Sequence, residues 1–198
     1  MARSSDSLSR KEQILRALAQ MLEETPGSLI KTAALAQKVG VSEAALYRHF
    51  PSKARMFEGL IDFIEDTIFT RTNRILREET LPDRQCEKIL LLVLTFAEKN
   101  PGISRILNGD ALSGEPDRLR QRVNQVFEKL DTMLKQMFRE AEVRYGVKTK
   151  ITVTATTAIL TSILEGKISQ FVRSDFKRLP TQDWGDQWES LRTALIQH

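Results

Sequence analysis

Lys31 to Lys53 reads KTAALAQKVGVSEAALYRHFPSK. The stretch predicts two short helices around a glycine turn. Thr32 is placed to cap the first, whose apolar residues Leu35, Ala36 and Val39 share one face. Gly40 supplies the corner, since glycine reaches positive φ at little cost. Val41 plugs that corner. Ser42 is placed to cap a second helix over Glu43 to Phe50, and Pro51 stops it. Small residues at 36, 44 and 45 let the two backbones cross closely. This is the arithmetic of a helix-turn-helix, whose second helix enters the DNA major groove.

The residues that follow give the motif its chemistry. Leu46 and Phe50 stand at i, i+4 and anchor the helix inward. Tyr47, Arg48 and His49 point elsewhere, and all three side chains can donate to phosphate. Ser52 is placed to cap the next helix, so Lys53 sits at a helix N-terminus. A cation there opposes the helix dipole, so its benefit is expected from an external phosphate. Base reading is expected near Ser42, Glu43 and Ala44, with Thr32 beside them. Phosphate clamping is expected from Tyr47, His49 and Lys53.

Charge points the same way. Residues 1–55 hold nine basic and five acidic side chains, a balance of +4 that equals the net charge of all 198 residues. The other 143 residues carry 21 of each sign. A basic head on a neutral body is the electrostatic footprint of a nucleic-acid binder.

Taken together, the Gly-Val-Ser turn, the Leu-Tyr-Arg-His-Phe helix and the Pro-Ser-Lys exit resemble the DNA-binding head of TetR-family regulators, over about residues 10–58. The resemblance implies an all-α fold, with a three-helix head on a C-terminal helical body that dimerises. The domain plan is a disordered arm over 1–9, a helix-turn-helix domain over 10–52 and a dimerisation and partner-binding domain over 53–198.

Helical periodicity runs through the chain. A first helix over about 10–23 ends at Pro26-Gly27, and a long fourth helix runs over about 52–79. Its inner stripe is Phe57, Leu60, Ile61, Ile64, Ile68 and Ile75. Helices over about 84–99 and 103–108 flank a break at Asn100-Pro101-Gly102. A loop at 109–116 leads to helices over about 117–144, 151–175 and 184–196. The β-branched start of the 151 segment also admits a strand at 151–157, with no partner strand evident elsewhere. The late helices carry more apolar surface than the body can bury alone. They are expected to form a homodimer interface that includes Ile159 and Ile163, giving the twofold axis a palindrome needs.

Catalysis has little to stand on. The two histidines are His49 and His198, no cluster has metal-ligand spacing, and no phosphate loop or nucleophile elbow occurs. No enzyme activity, cofactor or metal is expected. The single Cys86 excludes an internal disulfide and fits a reducing cytoplasm. The polar N-terminus shows no apolar leader, and the longest apolar run is far short of the ~20 residues of a membrane span.

The body carries a finer resemblance. SEAALYRHFPSKARMFEGLIDFIEDTI, FAEKNPGISRILNGDAL, DRLRQRVNQVFEKL and SQFVRSDFKRLPT look like the nucleoid occlusion factors, a TetR-like group without a familiar small-molecule inducer. The resemblance implies a cytoplasmic, nucleoid-associated dimer on palindromic chromosomal DNA. It implies a second partner, the tubulin-like division GTPase FtsZ, and a block on division-ring assembly over the nucleoid. It assigns partner binding to Phe63, Arg71, Leu92, Thr95, Lys99 and Asn100. Lys99 stands where arginine is expected, Thr95 where glycine is expected, and the N-terminal arm is less basic than the group's pattern. From the residues alone, Phe63 lies roughly 120° off the core stripe, beside Met56, Thr67, Thr70 and Arg74. Either it packs beneath the loop near Asn100 or it forms a partner surface. The competing function is a ligand-gated repressor, with Glu98 or Glu165 inside a pocket between the helices of 84–109 and 117–172.

Overall fold

The computed structural model describes residues 8–25 and 28–197. Among them are nine α-helices and one two-residue β-ladder. Helix α1 spans Arg10–Glu24, α2 Thr32–Val39 and α3 Glu43–His49, and these form the head. Helix α4, Lys53–Glu78, carries the chain from head to body. The body adds α5 (Pro82–Lys99), α6 (Pro101–Asn108), α7 (Asp117–Tyr145), α8 (Val153–Arg173) and α9 (Trp184–Leu195).

Local chemistry sets most boundaries. Ser9 and Glu12 close a reciprocal capping box at the start of α1. Residue 9, assigned to the arm, is therefore part of the first helix's cap; residues 1–7 of that arm lie outside the described residues. So does the Pro26-Gly27 stop, and the last described cap of α1 is Thr25. Gly40 takes the left-handed conformation at φ 76°, as the turn requires. Ser42 accepts a hydrogen bond from the Ala45 N–H, and Ser52 from the Arg55 N–H. Pro82 and Pro101 each open a helix at its first turn, where a missing N–H costs nothing. That is why α5 and α6 start two residues earlier than periodicity alone suggests.

Two expectations need correction. The segment at 151–157 is helical from Val153, because Thr152 caps it by accepting from the Ala155 N–H. A short ladder that the sequence reading did not include lies just before it: Lys148–Thr149 pairs antiparallel with Ile196–Gln197. This short ladder ends α9 at Leu195. Thr32 does not cap α2. The cap position is Lys31, which makes no side-chain bond, and the Thr32 hydroxyl donates instead to Glu43 Oε2 at 2.9 Å.

The head core is Ile14, Leu18, Leu22, Leu35, Leu46 and Phe57, all essentially inaccessible. Met56, expected beside Phe63 on the outer side of α4, is fully buried with them. It belongs to the continuous core, so the outer side of α4 begins only after this first turn. The body core runs through Ile64, Ile68, Val93, Leu94, Leu130, Leu134, Leu164 and Ile168. Two joints fasten head to body. At the first, α1 packs on α6 more extensively than any other helix pair packs. At the second, α4 lies along α7.

Candidate nucleic-acid interface and partner groove

The recognition helix presents Ser42, Glu43, Ala44, Tyr47 and Arg48 outward, with His49 half-buried. Leu46 and Phe50 turn into the head. Ala36 and Ala45 serve the crossing of α2 and α3, whereas Ala44, expected there too, faces outward. The Ser42 hydroxyl is engaged in its cap, so its second lone pair and its proton are what it can offer a base edge. The Thr32–Glu43 hydrogen bond fixes the Glu43 carboxylate over the helix start, where a cytosine amine could donate to it. Arg48, which carries no ion pair among the described residues, is a further exposed cation on this face.

Lys53 is differently placed. Its ammonium lies 2.6 Å from Glu115 Oε1 and 5.8 Å from the Phe57 ring centroid. The anion at this helix N-terminus is thus a carboxylate of the same chain, on the turn before α7.

On the other side of α1, Phe63 is part packed and part open. Its ring sits 6.1 Å from that of Phe96, yet 46% of the residue is exposed. It opens onto a mainly apolar groove of about 330 Å³ with Leu15, Arg16, Ala19, Leu60, Asn100 and Ile103. A second groove of about 450 Å³ continues it through Arg16, Ala19, Asn100 and Ile103 to Lys99 and Gly102. The Asn100 amide donates to the Phe96 carbonyl at 2.7 Å, which fixes its direction. Leu92, Thr95 and Lys99 stand at i, i+3 and i+7 on the outer face of α5, the first two half-buried and Lys99 exposed. Arg71 is exposed two turns beyond Phe63, with no ion pair among the described residues.

The α1 wall of this groove went unseen in the sequence. So did the reason α1 comes so close. A Cβ on Gly102 would lie 1.9 Å from the Ala19 carbonyl oxygen. Beside it Arg105, 2% exposed, donates to the Leu22 carbonyl at 2.9 Å and the Thr25 carbonyl at 3.0 Å. The Leu22 carbonyl is one that the end of α1 leaves open, and the Thr25 carbonyl at the cap also accepts from the Ser28 N–H. Arg105 Nε also pairs with Asp110 at 2.7 Å. A lone Gly after Pro and a lone Arg inside an apolar run were the available signals.

The α4–α7 joint is a ladder of ion pairs. Glu58 meets Arg118 at 2.9 Å and Arg55 at 2.7 Å. Arg122 meets Asp62 and Glu65, each at 2.9 Å. Lys129 covers the Phe69 ring at 4.1 Å. Burial alone would push the Glu58 carboxyl up, but its hydrogen bonds to Arg118 and Arg55 hold it below the usual carboxylate range.

The acids considered for a ligand pocket point elsewhere. Glu98 accepts from the Thr181 N–H and hydroxyl, fastening α5 to the segment before α9. Glu165 is on the exposed side of α8, its carboxyl raised by partial burial. The open face of α8 also carries Ala155, Ile159, Ser162 and Gly166 at heptad-like spacing, with Ile163 half-buried beside them. Ile159 is 40% exposed, and a Cβ on Gly166 would meet nothing within 4 Å.

Comparison with known proteins gathers these features. Residues 14–60 match the tetR family of bacterial regulatory proteins, and residues 80–196 match the SlmA-like tetracyclin repressor-like C-terminal domain. The chain is 54% identical over 194 residues to the nucleoid occlusion factor SlmA of Shewanella loihica, covering 98% of each. It is 56% identical over 191 residues to that of Alteromonas mediterranea, covering 94% of this chain and 96% of the other. Its fold is similar to a TetR transcription regulator from Haloarcula marismortui, with TM-score 0.78 at 19% identity over 95% of this chain and 98% of the other. The MbdR regulator from Azoarcus gives TM-score 0.78 at 14% identity over 96% and 100%. With a helix-turn-helix head, a body of the SlmA-like type and relatives matched end to end, the chain belongs to the TetR family of bacterial regulators and, within it, to the nucleoid occlusion factors.

Proposed function

We propose that the protein works as a homodimer on palindromic double-stranded DNA of the nucleoid, in the cytoplasm, and from there binds FtsZ and stops division-ring assembly. The observation that carries this reading is the half-exposed Phe63 at the mouth of a groove it shares with Asn100 and, further along, Lys99. An aromatic anchor suits a flexible acidic segment such as the FtsZ tail: the ring fills an apolar contact, and Arg16 and Lys99 on the groove walls, with Arg71 two turns beyond, are the cations for its carboxylates, while the groove acids Glu12 and Glu23 limit where those can sit. Leu92 and Thr95 extend the surface along α5.

The groove has one wall in the head and one in the body. Whatever orients the head on DNA therefore orients the α1 wall. Base reading falls to Ser42, Glu43 and Ala44, with Thr32 holding Glu43. Tyr47 and His49 clamp phosphates, with Lys53 at the edge of the same surface.

Dimerisation uses the open face of α8. A glycine inside a helix costs about 0.5–1 kcal/mol relative to alanine, and open space beside Gly166 suits the close approach of a second helix. Sedimentation should give a dimer at micromolar concentration that Ile159→Asp or Ile163→Asp disrupts; an unmodified monomer contradicts the interface.

A labelled peptide of the FtsZ C-terminal tail tests the partner reading by fluorescence anisotropy. Phe63→Ala and Arg71→Asp should each lose peptide binding by tenfold or more, while duplex binding is retained. Unchanged peptide affinity in both variants removes this groove from the function.

A further inference from the structure

We infer that Glu115 is a built-in competitor for DNA phosphate, holding Lys53 in reserve and setting how tightly the head binds. The inference rests on the DNA-binding reading above and adds a residue to it from outside the head.

Three observations carry it. The first is geometry. Lys53 is the first residue of α4, next to the recognition helix, and its ammonium is spent on Glu115 at 2.6 Å. Both side chains are largely enclosed, at 24% and 10% exposure. The contact therefore forms away from bulk water, where a charge pair is less screened than at an open surface.

The second is a reversal of sign. Down the α4–α7 joint, α4 supplies the acid at every other rung: Glu58 to Arg118, then Asp62 and Glu65 to Arg122. Among the described residues, it is at the top, beside the DNA face, that α4 supplies the cation and the body the acid. A cation at a helix N-terminus is disfavoured by the dipole, so this rung is a weak choice for holding helices together. It is a good choice for a cation that has a second anion to meet.

The third is how Glu115 is mounted. The segment from Gly109 to Pro116 folds on itself through the Leu112 N–H to the Gly109 carbonyl, the Ser113 N–H to Asp110 and the Glu115 N–H to Leu112. Asp110, on the same segment, grips Arg105, which in turn caps the end of α1. One short segment thus holds the head at two places through two acids. Asp110 holds by way of a buried arginine, and Glu115 holds a lysine that a phosphate can take.

When DNA docks, Lys53 can exchange the carboxylate for a phosphate oxygen. The exchange is between two anions, so Lys53 contributes less to affinity than a free lysine does. Removing the competitor should restore the full contribution.

The test measures binding of fluorescein-labelled duplexes, one of mixed sequence and one selected from a random pool by the wild-type protein, across about 50–200 mM salt. Glu115→Gln keeps the size of the side chain and removes its charge. It should tighten both duplexes alike, by about tenfold at the low-salt end, and steepen the salt slope by ~1. The gain should vanish in the double variant with Lys53→Ala, because it acts through that lysine. Circular dichroism should show the same helix content for wild type, Glu115→Gln, Lys53→Ala and the double variant. An equal gain with and without Lys53 overturns the proposal, because the effect is then long-range charge alone. Unchanged affinity and slope in Glu115→Gln overturns it too. A wild-type protein that selects no duplex strikes the DNA reading itself, and the proposal falls with it.

Discussion

The two joints between head and body are built from opposite materials. At α1–α6 the contact is backbone against backbone, with Gly102 bare beneath the Ala19 carbonyl and a buried Arg105 closing the end of α1. At α4–α7 it is a row of half-open ion pairs. Salt barely screens the first and readily weakens the second. One joint therefore acts as a fixed pivot and the other as an adjustable strap. On the proposed function, a head that turns on DNA pivots about the α1–α6 contact and shifts α4 against α7, which changes how the α1 wall faces Phe63.

The largest effect should come from breaking the pivot. Arg105→Met removes three buried or half-buried hydrogen bonds and leaves the Leu22 carbonyl without a donor, at a cost of about 3–5 kcal/mol in urea unfolding. That loss should change little with salt. Gly102→Ala should cost about 1–3 kcal/mol or more, because the new methyl meets backbone rather than a side chain that can turn away. If either variant is as stable as wild type, the contrast between the joints fails.

The strap should respond less, and with a dependence on conditions that the pivot lacks. Glu58→Gln should cost about 1–2 kcal/mol at neutral pH, since Arg55 and Arg118 are open enough to be rehydrated. The Glu58 carboxyl is held below its ordinary value of 4.5 in the folded protein. Its contribution is therefore complete above that value and is lost as pH falls through the lowered one. Wild type and variant should converge in acid; a gap that widens there contradicts the ion-pair account. Arg122→Ala should cost only about 0.5–1 kcal/mol and lose that effect in high salt. Phe63→Ala should leave stability almost unchanged, since nearly half of the residue already faces water. A loss of several kcal/mol would make Phe63 a core residue and not an anchor for a partner.

Much of this was legible in the sequence. The helix-turn-helix followed from Gly40, Ser42 and the Leu46 to Phe50 spacing, because those signals act within a few residues. The inward stripe of α4 was readable from periodicity, but Met56, Phe69 and Thr72 are buried beside it because more than one side of this helix is covered. What escaped were contacts set by the meeting of distant segments. Nothing local in Glu115 announces Lys53, and nothing in Thr32 announces Glu43. The α1 wall of the groove depends on Gly102, whose missing side chain reads as a loop residue until the helix beneath it is known. The Lys148–Thr149 strand needed Ile196–Gln197, almost fifty residues away.

The central claim is that DNA and FtsZ meet on one molecule through the groove between head and body. Co-sedimentation with assembled FtsZ, with and without the selected duplex, measures it directly. Wild-type protein should pellet with FtsZ more strongly when the duplex is present, by a factor of about 5–150 if the coupling is ~1–3 kcal/mol. Phe63→Ala should stay in the supernatant under both conditions while still binding the duplex. Wild-type protein that ignores FtsZ even when saturated with DNA would contradict the account.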